Sequence, residues 1–166
     1  SRGLGDVYKR QCDYDLDEDT RLSLRLSSVG DYRGQESLVI RLLHHQKKEL
    51  RYWFDGLTKV ASQIGGRGLY LFAGPVGSGK TTLMHQLIAD HYQEAQVISI
   101  EDPVEIKNQQ ALQLQVNDDI GMTYDNLIKL SLRHRPDILV IGEIRDSQTA
   151  RAVIRASLTG AMVFST

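Results

Sequence analysis

One cysteine, Cys12, is all that this 166-residue chain contains, which excludes an internal disulfide and any cysteine-rich zinc site within these residues. An excess of either charge is missing too. The 20 Lys and Arg against 21 Asp and Glu leave a net charge of −1, so no global basic footprint exists for gripping nucleic acid or anionic lipid, and direct nucleic-acid binding is not expected. Long apolar runs are absent: Ile138 to Ile141 is far too short to cross a bilayer, and no secretory signal pattern opens the chain. The 5 histidines show no HExxH or comparable ligand spacing and read as surface or helix residues. There is no internal repeat and no low-complexity tract. These absences predict a soluble protein of a reducing cytosol, unless a partner holds it at a membrane. The remaining composition, 41% hydrophobic and 25% charged, is that of an ordinary globular domain.

The most informative string is Gly74-Pro75-Val76-Gly77-Ser78-Gly79-Lys80-Thr81, which fits the phosphate-cradling pattern G-x-x-x-x-G-K-[ST]. Its context also fits. The strand-like run Leu69 to Ala73 precedes it, and Thr82 to Tyr92 comes after it with Leu83, Leu87 and Ile88 at helical spacing. Gly77 and Gly79 let the backbone curl so that successive N–H groups point at phosphate oxygens, and the helix N-terminus adds partial positive charge. Lys80 is the point charge for the β- and γ-phosphates, Thr81 a hydroxyl ligand for Mg²⁺, and Thr82 continues the loop into the helix. ATP with Mg²⁺ is the expected pair. Asp118-Asp119-Ile120-Gly121 matches the short D-x-x-G of GTPases, but no N-K-x-D string accompanies it, so adenine is favoured.

Two regions are expected. In the first, Leu22, Leu24 and Leu26 alternate with Arg21, Ser23, Arg25 and Ser27, the pattern of a half-buried strand. Gly30 to Gly34 supplies a turn, Ser37 to Leu43 a returning strand, Thr58 to Ile64 a short helix, and Gly65-Gly66-Arg67-Gly68 a linker. In the second, strands at Leu69 to Ala73, Val97 to Ile100, Ile138 to Ile141 and Met162 to Phe164, with a weaker one at Gln113 to Val116, interleave with helices at Lys80 to Tyr92, Thr123 to His134 and Ser147 to Leu158. Alternating strands and helices predict an α/β fold: a parallel sheet covered on both faces, with ligands at the strands' C-terminal edge. Residues 1–11 share no periodicity with the residues after them and are expected to be a non-native leader outside the fold. Residues 12–66 then read as the end of a smaller domain plus linker, and 67–166 as a nucleotide-binding domain that stops inside its sheet.

Two strands deliver carboxylates to that edge, Glu101-Asp102 after Ile100 and Glu143 after Gly142. Phosphoryl transfer needs acids to hold hydrated Mg²⁺ and to orient or deprotonate the attacking water. Glu101 and Glu143 can do both. Spacing does not say which does which.

Four motifs in order carry a family resemblance: 74 to 81, Ile-Glu-Asp-Pro-Val-Glu (100 to 105), Leu-Arg-His-Arg-Pro-Asp-Ile-Leu-Val-Ile-Gly-Glu-Ile-Arg-Asp (132 to 146) and Leu-Thr-Gly-Ala-Met-Val-Phe-Ser-Thr (158 to 166). From about Arg21 to Thr166 the chain resembles the hexameric ATPases of type II secretion and type IV pilus assembly. Arg25-Leu-Ser-Ser and Gly34 to Leu43 look most like the ATPase of the Gram-positive competence pseudopilus used in DNA uptake. The resemblance implies a RecA-like P-loop core preceded by the end of a smaller α+β N-terminal domain, a homo-hexamer, and an inner-membrane platform protein as partner. By position it makes Lys80 and Thr81 the Walker A ligands, Glu101 the catalytic base beside Asp102, and Glu143 an atypical Walker B acid on Mg²⁺ and water. It also makes Arg25 and Arg41 arginines that reach the phosphates from the preceding domain, and places Arg133 and Arg145 at two further family positions.

Departures accompany it. Ala161 stands where most members carry the first histidine of a His box, the second histidine would lie past Thr166, and Val76 replaces a common Thr whose side chain should point outward. Residues 1–166 alone are expected not to turn ATP over. Against the motor reading stand a DNA-transfer ATPase of conjugation or type IV secretion, a non-catalytic nucleotide-binding subunit, and a small-molecule kinase.

Overall fold

A computed structural model describes residues 8–15, 21–30, 33, 35–43 and 55–166. The chain divides into two compact units, Ser1–Glu49 and Leu50–Thr166.

The first unit contains an antiparallel sheet of β1 (Tyr8–Asp15), β2 (Arg21–Gly30) and β3 (Glu36–Leu43) in the order β1-β2-β3. Residues 8–11, expected to stand outside the fold, pair in β1 with 25–28 of β2. Their polar run Lys9-Arg10-Gln11 hides the strand, because it carries no hydrophobic alternation. The alternation in β2 also resolves differently from expectation. Ser23 is the fully buried residue, donating from Oγ to Asp13 Oδ1 at 2.5 Å, while Leu22, Leu24 and Leu26 are only half-buried. On β3, Leu38, Val39, Ile40 and Leu42 are all exposed.

The second unit holds α1 (Gly56–Gln63), β4 (Gly68–Leu71), α2 (Lys80–His91), β5 (Val97–Glu101), β6 (Ala111–Gln115), α3 (Tyr124–Arg133), β7 (Ile138–Ile141), α4 (Ser147–Leu158) and β8 (Met162–Ser165). All five strands are parallel in the order β4-β8-β7-β5-β6. The weaker strand expected at 113–116 is β6, beginning two residues earlier. The unit boundary falls at Glu49/Leu50 rather than after residue 66. Packing explains this: Leu57, Val60, Ala61 and Ile64 on and beside α1 join the core beneath α2.

Strand alternation sends neighbouring residues to opposite faces. Ile98, Ile100, Leu139, Ile141 and Val163 meet Leu127, Ile128, Val153 and Ala156 of α3 and α4. Val97, Ile138, Val140 and Phe164 meet Met84, Leu87 and Ile88 of α2. The ring of Phe164 takes Tyr70 and Phe72 edge-on at 5.6 and 5.7 Å. With both faces covered, β5 and β7 are buried throughout, and each of their buried Val, Ile and Leu side chains contributes roughly 1.5–3 kcal/mol of burial free energy. The consequence for function is positional, since every strand's C-terminal end is held rigidly at one edge.

Candidate nucleotide-binding site

Strand β4 delivers the glycine-rich loop to that edge, where Phe72 N–H donates to Ser165 O at 2.9 Å. Gly77 and Gly79 have φ of 77° and 87°, conformations that side-chain-bearing residues rarely adopt. A Cβ on Gly74 would lie 2.9 Å from Ser78 Oγ. Val76 points fully into solvent, as its replacement of Thr requires. Gly79 is the N-cap of α2 and offers no side-chain cap, whereas Thr123 caps α3 and Asp146 caps α4 by accepting from Asn126 N–H and Thr149 N–H. The first N–H groups of α2 therefore keep their capacity for an anion. Lys80 Nζ donates to Gly74 O and Pro75 O at 2.9 and 3.0 Å, which curls the ammonium over its own loop. Thr81 and Thr82 come next in the first turn, half-buried.

The acids sit on neighbouring strands. Ile100 of β5 registers with Ile141 of β7, and Gly142 N–H extends the ladder to Ile100 O at 2.8 Å. A Cβ on Gly142 would meet Ile100 O and Tyr124 OH, both at 3.3 Å. Glu101 is only 5% exposed, and its Oε1 accepts from Ser99 Oγ at 2.7 Å and Gln113 Nε2 at 3.1 Å. Glu143 Oε1 accepts from Arg145 Nη2 at 2.5 Å, and Arg145 Nη1 donates to Asp102 Oδ2 at 3.1 Å. One guanidinium thus ties two strand ends together. The hydrogen bond to Glu143, above all, raises the Arg145 pKa.

Two buried polar atoms among the described residues have no partner, Tyr124 OH and His85 Nε2. Burial first, then Glu143 and Asp102, pushes the Tyr124 phenol far above its usual range, so it stays protonated. Burial pushes His85 down, opposed by the charge of Glu101.

The loop, Glu101, Asp102, Glu143 and Arg145 therefore share the C-terminal edge of the sheet. Arg133 does not: it is exposed in the last turn of α3, just before β7 begins at the opposite edge. Ala161 also lies there, 6% exposed and packed into the core at the start of β8. Arg25 and Arg41 belong to the first unit, where the β2–β3 register pairs them. Sequence reading missed Ser99, Gln113, Tyr124 and His85. Only Ser99 carries a usable signal, two positions before Glu101 on the same face of a strand.

Among the described residues, no three His, Cys, Asp or Glu side chains converge into a metal cage. The oxygen donors present, Thr81 beside the loop and Glu143 at a strand end, nonetheless suit Mg²⁺, which takes one or two protein oxygens and completes its shell with water and phosphate.

A family model for type II/IV secretion system proteins matches residues 13–166. The chain belongs to this family. Among curated members, competence protein ComGA of Streptococcus pneumoniae is 67% identical over 93% of this chain and 49% of its own length. ComGA of Bacillus subtilis is 37% identical over 86% of the chain and 42% of its length. The chain spans about half the length of the first and less of the second. The pilus retraction motor PilT, solved with bound ADP, superposes with a TM-score of 0.69 at 28% identity, covering 95% of this chain and 47% of that one. The DotB ATPase of Legionella pneumophila, at 22% identity and a TM-score of 0.71, covers 98% of this chain and 47% of that one and shares its fold. Among the described residues, no helix is long and apolar enough to cross a membrane.

Proposed function

We propose that this chain is the catalytic core of an ATP-hydrolysing motor subunit that drives pseudopilus assembly for DNA uptake. The observation that carries this reading is the loop itself: two left-handed glycines, an uncapped helix N-terminus and Lys80 folded over the loop, on the sheet edge that also carries carboxylates at two adjacent strand ends. The loop N–H groups and Lys80 bind the β- and γ-phosphates. Thr81 and Glu143 hold Mg²⁺, which when bound neutralises phosphate charge. Glu101 takes the proton of the attacking water, because Glu143 is engaged by Arg145 and Glu101 is not. The competence relatives support the DNA-uptake branch, and the family supports a homo-hexamer working against a membrane platform protein at the inner face of the cell membrane.

The test uses the protein at the length of its curated relatives. Lys80→Ala should abolish most ATP binding measured by calorimetry. Glu101→Gln and Glu143→Gln should each lower turnover by about 100-fold or more while ATP still binds. Unchanged affinity in the lysine variant, or near wild-type turnover in either glutamine variant, would overturn the corresponding assignment.

A further inference from the structure

Glu101 presents two oxygens in unequal settings. Oε1 accepts from both Ser99 Oγ and Gln113 Nε2. Gln113 is itself pinned: its Nε2 also donates to Ile106 O at 2.8 Å, and its Oε1 accepts from Asn108 N–H at 2.7 Å. Both ends of the amide are therefore anchored by backbone, and its orientation is set by the network. Ser99 lies on the same strand and face as Glu101 and is 1% exposed, so its hydroxyl has little freedom. Glu101 Oε2 has no donor among the described residues and is not one of the buried orphan atoms. It keeps access to solvent.

We infer that Ser99 and Gln113 are positioning residues that saturate Oε1 of Glu101 and thereby select Oε2 as the oxygen that receives the proton in ATP hydrolysis. This rests on the assignment of Glu101 as base. In the step, water oxygen bonds to the γ-phosphorus as the bond from that phosphorus to the bridging oxygen breaks. The water proton passes to Oε2, ADP and inorganic phosphate are released, and Oε2 returns its proton to solvent. A carboxylate free to rotate about its last torsion would present the wrong lone pairs for much of the time, and misplacement of this order can cost about 100-fold. Neither Ser99 nor Gln113 touches the nucleotide in this scheme, so the loss falls on kcat and spares binding.

The experiment measures kcat, KM for ATP and calorimetric ATP affinity in the relative-length protein carrying Ser99→Ala, Ser99→Thr, Gln113→Leu or Glu101→Gln, together with the double variant Glu101→Gln/Gln113→Leu. Ser99→Ala and Gln113→Leu should each lower kcat by about 10- to 100-fold with KM and affinity unchanged. Ser99→Thr, which keeps the hydroxyl, should recover most of the rate. In the double variant, Gln113→Leu should add nothing to the loss from Glu101→Gln, because residues acting through one group are not additive. Additive losses, or kcat falling together with ATP affinity, would mean that Ser99 and Gln113 only support the fold and would overturn the inference. Wild-type kcat in the two truncations with an inactive Glu101→Gln would also overturn it while leaving Glu101 as base. An active Glu101→Gln would instead remove the reading on which the inference stands.

Discussion

Arg25 of β2 and Arg41 of β3 stand directly opposite each other in the antiparallel ladder, a cross-strand pair of like charges. Opposed like charges are unfavourable on their own, and Arg25 has an interaction beyond this pair. The family resemblance makes both arginines candidates for phosphate contact, an expectation that replacement tests. Either arginine replaced by Ala should lower turnover, by up to about 10³-fold for a cation on the transferred phosphoryl group. If the contact crosses a subunit boundary, mixing Arg41→Ala with Lys80→Ala subunits should restore part of the activity. Mixed assemblies that form but stay inactive would exclude a contact in trans.

Tyr124→Phe should stabilise the protein. The phenolic oxygen is buried without a partner near Glu143 and Asp102, and an unsatisfied buried hydroxyl costs about 1–3 kcal/mol. Thermal denaturation of the two proteins side by side is sufficient. A midpoint lowered in the Phe variant would mean that the hydroxyl makes a hydrogen bond worth more than its burial penalty.

Acidification should weaken the fold through His85. Its folded pKa is lowered, by burial before anything else, so the unfolded chain binds a proton at about pH 6.5 while the folded chain does so only further down. The stability contributed by keeping His85 neutral is fully present above that range and is lost as pH falls through the window beneath it. Thermal midpoints taken from pH 7.5 to 5.5 should fall more steeply for the wild type than for His85→Gln. Parallel curves would show that His85 is not the group responsible.

The loop and both acidic strand ends were legible because each joins an unusual residue combination to a required neighbour: glycines before a helix, carboxylates after an apolar strand. The buried strands were legible as continuous apolar runs. What stayed hidden depended on partners distant in sequence. Gln113 looks like one polar residue in a faint strand until β6 registers beside β5 and brings it to Glu101. The β1 strand has no pattern of its own, and its existence depends on pairing with β2. Arg145 was visible as a family position, yet nothing in its spacing announced that it would join Glu143 to Asp102. Ala161 was visible as a departure from the family's His box, but its burial at the start of β8 shows only once the strand is packed into the sheet.

Strand β8 lies between β4 and β7, although it comes after both in the chain. Among the described strands, β4 pairs with β8 alone: Gly68 meets Met162 and Leu71 meets Ser165. As the polypeptide emerges from the ribosome, the strand that presents the phosphate loop has no ladder to join until Met162–Ser165 has been made. Closing so long a loop is a slow, late event in folding. The nucleotide cradle and the acidic edge are therefore brought into one sheet by a single insertion, and a nascent chain short of β8 would carry the phosphate loop without the frame that aims it.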